Sequence, residues 1–213
     1  MELIEPKISV TSFDIGSSLK VVDQINKVAL NFGNEHPIVV QIESYGGEVA
    51  GLGVIYNKLL SIPNPIITYC SGMALSAGCF LFTNIAKKPN RIISPTAKLM
   101  LHEVQSGAFG DVKDMVADVN FSKELSETWM NLTAKSIGMK DSTELKSFMR
   151  TKTESHNLFM NAEEAVKYGF ADMIGNVNLS GPHVTYDVVV IPEEVKEEPK
   201  PVKPPKAIKR KKK

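Results

Sequence analysis

Between residues 38 and 101 the chain carries four short apolar runs, Ile38–Ile42, residues 66–69, Arg91–Ile93 and Lys98–Leu101, most of them separated by stretches of helical periodicity. Runs that are apolar at successive positions suit strands covered on both faces, the setting of a parallel sheet. Parallel neighbours cannot be joined by a hairpin and need a crossover, usually a helix. The order β-α-β-α therefore predicts an α/β fold with a mostly parallel sheet and crossover helices.

The punctuation between the runs sets the elements. Ser17 or Ser18 can cap a first helix whose apolar face is Val22, Ile25, Ala29 and Phe32. Pro37 introduces the first strand, and Gly46-Gly47 breaks it. A second helix turns Leu52, Ile55 and Leu59 inward, and Pro63 and Pro65 end it. Ser71-Gly72 turns the chain after the next strand, and residues 75–85 read as a buried helix of small side chains. The stretch from Asp111 to Ile137 is a long amphipathic helix. Its apolar positions, among them Val116, Leu125, Trp129, Met130 and Leu132, either pack on the sheet or meet another subunit. Residues 151–157 are irregular, and a short helix from Ala162 to Tyr168 is closed by Gly169.

A length of 213 residues allows one sizeable domain. That domain is expected in residues 1–192, folded from about Lys7 to Pro192. Residues 193–213 alternate Lys, Glu and Pro, with nine basic against four acidic side chains, and end in five consecutive cations. Such a segment buries too little to offset its ordering entropy and is expected to be disordered. It reads as a solubilising tail or as an anchor for an acidic partner. The whole-chain charge of +1 makes no general case for nucleic acid or membrane. No run approaches the ~20 apolar residues of a membrane span, and the first residues lack the pattern of a signal peptide. Cys70 and Cys79 lack the partners of a metal site and read as buried free thiols in a reducing compartment. A cytoplasmic protein without metal or cofactor is expected.

Three features fall at strand ends, where α/β sheets gather reactive groups. Gly46-Gly47 lets backbone N–H groups approach a ligand: a phosphate cradle, an oxyanion cradle or simply a tight turn. In Ala74-Leu75-Ser76-Ala77-Gly78 a serine sits between a strand and a helix, flanked by small residues. That is the pattern of a nucleophile elbow, or of a helix-start serine among packing residues. His102 follows the run Leu99-Met100-Leu101 and precedes the glycine-containing stretch from Ser106 to Gly110; a lone histidine there is structural or catalytic. His36 and His183 fall in loop-like segments and receive no role.

Together these segments resemble a family. Residues 42–49, Ile-Glu-Ser-Tyr-Gly-Gly-Glu-Val, resemble the "I-N-S-P-G-G-x-[VI]" segment of the Clp protease proteolytic subunit. Residues 72–78, Gly-Met-Ala-Leu-Ser-Ala-Gly, resemble its "G-x-A-A-S-M-G" nucleophile segment. Leu99-Met100-Leu101-His102 with Gly107 and Gly110 resembles its "M-I-H-Q-P-x-G-G-x-x-G" segment, and residues 162–172 its "A-x-E-A-x-E-Y-G-L-I-D" segment. The resemblance covers about Ile8 to Ile174. It implies a crotonase-like (Clp protease) fold of repeated ββα-type units with a protruding long helix. It implies a serine endopeptidase with Ser76 as nucleophile, His102 as general base, and Gly47 and Ala77 as backbone donors of the oxyanion hole. It further implies that the segments around Gly46 and Gly107 hold an extended polypeptide substrate, and that the helix from Asp111 to Ile137 joins subunits into a homo-oligomeric ring.

Three positions depart from the family pattern. The aspartate expected as third triad member falls at Asn157, with Asp172 as a weaker candidate. The family's ring-stabilising Asp-Arg pair falls near Ser155-His156, which argues against stacked double rings. The chain starts almost at the first strand, which argues against dependence on a partner ATPase. These departures and the basic tail resemble Clp-like peptidases of phages that process head or scaffold proteins. Two alternatives remain. One is a signal-peptide-peptidase relative with a Ser-Lys dyad, for which Lys98 is available. The other is a catalytically weak or inactive assembly protein of the same fold.

Overall fold

A computed structural model describes residues 5–190; the expected tail at 193–213 lies outside the described residues. In chain order the elements are β1 (Lys7–Val10), α1 (Ile15–Asn31), β2 (Ile38–Ile42), α2 (Val49–Leu60), β3 (Ile66–Cys70), β4 (Met73–Leu75), α3 (Ala77–Ile85), β5 (Arg91–Ile93), β6 (Lys98–Leu101), α4 (Val112–Ser136), α5 (Ser142–Lys152), β7 (Leu158–Met160), α6 (Ala162–Lys167), β8 (Met173–Ser180) and β9 (His183–Val190). The larger sheet has the order β1-β2-β3-β5-β8-β9, parallel throughout except for the β8–β9 hairpin. A smaller sheet has the order β4-β6-β7, with β4 and β6 parallel and β7 antiparallel.

The two sheets explain each other. After β3 and after β5 the chain crosses to the small sheet, as β4 and β6, before it enters a helix. After β2 it does so in miniature, because Ser44 makes a parallel bridge to Ala74 before α2 starts. A two-strand step followed by a helix is thus repeated, which is the ββα unit of the expected crotonase-like fold. The consecutive β-branched residues of β2 are buried because helices cover one face of the sheet and the β8–β9 hairpin contributes to covering the other.

Two element starts differ from the sequence expectation. Asp14, rather than Ser17 or Ser18, caps α1; its Oδ1 accepts the Ser17 N–H at 2.8 Å. The buried stripe is Ser18, Val21, Ile25 and Val28, so Val22 and Ala29 lie about 100° round the helix at its margin. Phe32 is the C-cap. The helix expected over 75–85 begins only at Ala77, because residues 73–75 are bound in the β4–β6 ladder. Helix α5 also reaches into the stretch expected to be irregular, and Thr151 and Lys152 form its last residues.

The long helix divides into two functional halves. Trp129, Met130, Thr133 and Ala134 are buried against the body. Residues 111–121 are exposed throughout, and Val112, Met115, Val116 and Val119 form an i, i+3, i+4, i+7 apolar stripe on that projecting half. Both cysteines are free and buried, and burial pushes the Cys79 thiol up to about 12. No helix among the described residues is long and apolar enough to cross a membrane.

Asp172 is committed to structure. Its carboxylate accepts the Arg91 Nε–H at 3.0 Å, pairs with the Arg91 Nη2 and accepts the Arg91 backbone N–H. The Arg91 side chain is 1% exposed. Asp172→Asn would leave a buried guanidinium without its counter-charge, a loss expected to cost about 3–5 kcal/mol. Denaturant unfolding followed by Trp129 fluorescence measures it, and a loss under about 1 kcal/mol would show the pair to be dispensable.

Candidate active site

The site begins with a turn. Glu43, just past β2, reaches under the connection from β3 to β4. Its carboxylate accepts the N–H groups of Ser71 (2.5 Å), Gly72 (2.8 Å) and Met73 (3.1 Å) and the Ser71 hydroxyl (2.6 Å). This clamp fixes where β4 starts and hence where it ends. In the β4–β6 ladder Leu75 lies opposite Met100, and the Ser76 N–H continues the ladder by donating to the Met100 carbonyl at 2.8 Å.

Ser76 then turns the chain into α3 with φ 55° and ψ −118°, and it is the non-glycine residue with positive φ among the described residues. Such strain in a non-glycine residue costs on the order of 1–3 kcal/mol and concentrates at functional sites. Here it stands the hydroxyl at the N-terminus of a buried helix, the geometry of a nucleophile elbow. His102 is the first residue beyond β6, and its Nε2 lies 2.8 Å from Ser76 Oγ.

Gly46 and Gly47 complete the wall. A Cβ on Gly46 would sit 2.7 Å from Ser76 Cβ and 2.9 Å from the Leu75 carbonyl oxygen, and its φ of +104° is a glycine conformation. The loop can cover the serine only because residue 46 lacks a side chain. Ala77 is the first residue of α3, so its N–H has no acceptor within the helix. The Gly47 N–H has no acceptor among the described residues. Both residues line one cavity of about 300 Å³ with Ser76 and His102. Its apolar wall comes from Val49, Leu52, Phe80, Met100 and Trp129, and Tyr45 stands at the wall with its side chain largely exposed. Trp129 is held by an edge-on contact with Tyr56, ring centroids 5.3 Å apart.

The imidazole is half-buried. Burial lowers its pKa below the ordinary histidine value, and the Glu103 backbone offsets part of that shift. Neutral imidazole with Nε2 facing a hydroxyl is the protonation state a general base needs. Its Nδ1 is buried without a hydrogen-bond partner. Asn157 immediately precedes β7, and one further step of the register Leu101 opposite Leu158 brings it across from His102. The Asn157 backbone N–H donates to Ser155 Oγ at 3.0 Å, and its side chain makes no bond to the imidazole. Gly107 lies on the exposed loop after His102 and is not part of the cavity wall.

Ser76, His102, Gly46, Gly47 and Ala77 thus meet in one place, although they come from three separate stretches of chain. The Glu43 clamp and the apolar wall did not emerge from the sequence. A glutamate after a strand carries no pattern of its own, and Phe80 and Trp129 read equally well as core. Among the described residues, no group of three or more His, Cys, Asp or Glu side chains is arranged to hold a metal ion.

Comparison with known proteins finds similar chains. The family model described as Clp protease matches residues 9–178. A stretch of 141 residues is 31% identical to the ATP-dependent Clp protease proteolytic subunit of Deinococcus radiodurans, covering 66% of this chain and 65% of that protein. The match thus spans just under two thirds of that relative's length.

Proposed function

The chain belongs to the Clp protease family, and on that premise we propose that it is a serine endopeptidase acting on polypeptides. The observation that carries this reading is the 2.8 Å contact between His102 Nε2 and the hydroxyl of a strained serine at a helix N-terminus. His102 removes the Ser76 proton as Oγ attacks the scissile carbonyl. The N–H groups of Gly47 and Ala77 take up the charge that develops on the carbonyl oxygen, aided by the dipole of α3. His102 returns the proton to the leaving amine, and water then clears the acyl-enzyme with His102 again as base. The apolar cavity wall favours an apolar side chain on the residue whose carbonyl is attacked. Asn157 is the residue we assign as third member, acting through its side-chain oxygen once a substrate has closed the site. The exposed stripe of α4 is the surface we assign to ring assembly. Phage head or scaffold proteins are the substrates we favour, and residues 193–213 would dock an acidic partner.

A fluorophosphonate probe tests the core of this reading. The wild-type chain should become labelled on Ser76, and Ser76→Ala should not. The unpartnered His102 Nδ1 favours one competing reading, an assembly protein with a vestigial site, and a wild-type chain that stays unlabelled supports that reading instead.

A further inference from the structure

A general base must be held within roughly 10–20° of its working orientation. In most Ser-His sites a carboxylate on Nδ1 does this. Here Nδ1 has no partner before substrate binds, so what holds the imidazole in the free site acts through the backbone that carries it. The two residues that follow His102 are both tied down. Val104 donates its N–H to Ser126 Oγ on α4 at 3.3 Å. Glu103 Oε2 lies 2.9 Å from the Nζ of Lys146 on α5, and the same ammonium pairs with Glu127 on α4. Glu127 also accepts the Ser142 hydroxyl, and Ser142 donates its N–H to Asn131 Oδ1 at 2.8 Å. The lysine is not a solvated surface cation, because its side chain is only 17% exposed. Exposed ion pairs stabilise little, and both carboxylates here are half-exposed, but a mostly buried ammonium shared by two of them restricts the groups it joins. Glu103 is at the same time a wall of the cavity that holds Ser76 and His102.

We propose that Lys146 is a positioning residue for the Ser76–His102 pair, acting through Glu103; the proposal rests on the peptidase reading. Burial works against the lysine's charge, but hydrogen bonds to Glu127 and Glu103 outweigh it and raise its pKa. The bond from Lys146, followed by that from Ser142, lowers the pKa of Glu127. Lys146 and Glu127 therefore both stay charged throughout the histidine range. The imidazole bonds Ser76, the N-cap of α3; Asn157, just before β7, is its register neighbour, and Tyr45 lines the same cavity. Glu103 is the charged residue that lines the His102 cavity, and Lys146 and Glu127 line a neighbouring cavity together with Glu103.

The test uses the full chain and measures the rate of Ser76 phosphonylation by a fluorophosphonate across the histidine pH range, beside an NMR titration of His102. Lys146→Met should slow phosphonylation about tenfold. It should also move the acid limb and the His102 titration up by a few tenths of a pH unit, because two carboxylates lose their cation. Lys146→Arg should restore both. Glu103→Gln should slow the reaction to a similar extent but move the limb down, because it removes a negative charge. Opposite shifts with similar rate losses are not expected of a change that merely loosens the fold. If Lys146→Met fails to fold, Glu103→Gln carries the test, since that side chain is half-exposed. Wild-type rates and an unmoved limb in both variants, or a lowered melting temperature alone, overturn the proposal. An unlabelled wild-type chain overturns the peptidase reading and this proposal with it.

Discussion

Asn157→Asp should raise peptide hydrolysis by about ten- to a thousand-fold and move the acid limb of its pH profile upward. Removing the carboxylate from a complete Ser-His-Asp triad costs about four orders of magnitude, and the reverse change here recovers only what the local geometry permits. Asn157 is one register step from the strand pair that ends at Leu101 and Leu158, which sets its backbone across from that of His102. A carboxylate there would accept the Nδ1–H and stabilise the imidazolium formed in the transition state. The sign of the pH effect follows from the same contact. In the native chain burial holds the His102 pKa below the usual value, so the base stays neutral to lower pH than an ordinary histidine. An anion on Nδ1 favours the protonated form, the pKa rises, and activity is lost at higher pH than before. Steady-state rates on an unstructured protein substrate across the histidine range measure both effects. An unchanged rate with an unmoved limb would remove residue 157 from the site.

Ser76→Ala is expected to cost about two orders of magnitude in the wild-type background and considerably more in the Asn157→Asp background. Triad members act as a unit, so their losses do not add. In one complete triad the serine is worth about 2 × 10⁶ in kcat and the acid alone about 3 × 10⁴, which leaves somewhat under about 10² when the acid is missing. The Ser76–His102 contact is formed, but Nδ1 is unpartnered, so the native chain corresponds to the second case. His102→Ala should match Ser76→Ala, and the double variant should lose no more than either single one. What remains should reflect the oxyanion donors Gly47 and Ala77 together with substrate binding. Equal Ser76→Ala losses in the wild-type and Asn157→Asp backgrounds would show that residues 157 and 102 are not coupled.

The sheet was legible because its strands are short, apolar at successive positions and bounded by Pro and Gly, a pattern that suits strands covered on both faces. Residues 38–42 and 91–93 needed no other signal. The meeting of Ser76 with His102 was legible because His102 ends such a run, Ser76 lies between a run and a helix, and each lies in a segment with a family pattern. Helix faces were less secure. In α1 apolar residues stand next to each other at 21–22 and 28–29, so the spacing allowed two stripes one residue apart, which is about 100° of rotation. The hairpin after Met173 alternates polar and apolar residues around Gly181, a weaker signal than the continuous apolar runs of the parallel strands. The start of α5 was also marked in the sequence, because Asp141 accepts the Glu144 N–H and Glu144 reaches back to the Lys140 N–H. The tie between Glu103 and Lys146 was not marked anywhere. It joins residues far apart in the chain through charge alone, and many other lysines offer the same charge.

Helix α4 is a cantilever. Its distal half projects free of the body, and its root is Trp129, whose ring is also part of the cavity wall. From Val112 to Trp129 the lever arm is about 25 Å. A small tilt imposed far out is therefore delivered, as a much smaller and stiffer displacement, to the surface on which the substrate side chain rests. Whatever grips the outer turns thereby gains mechanical purchase on the cleft.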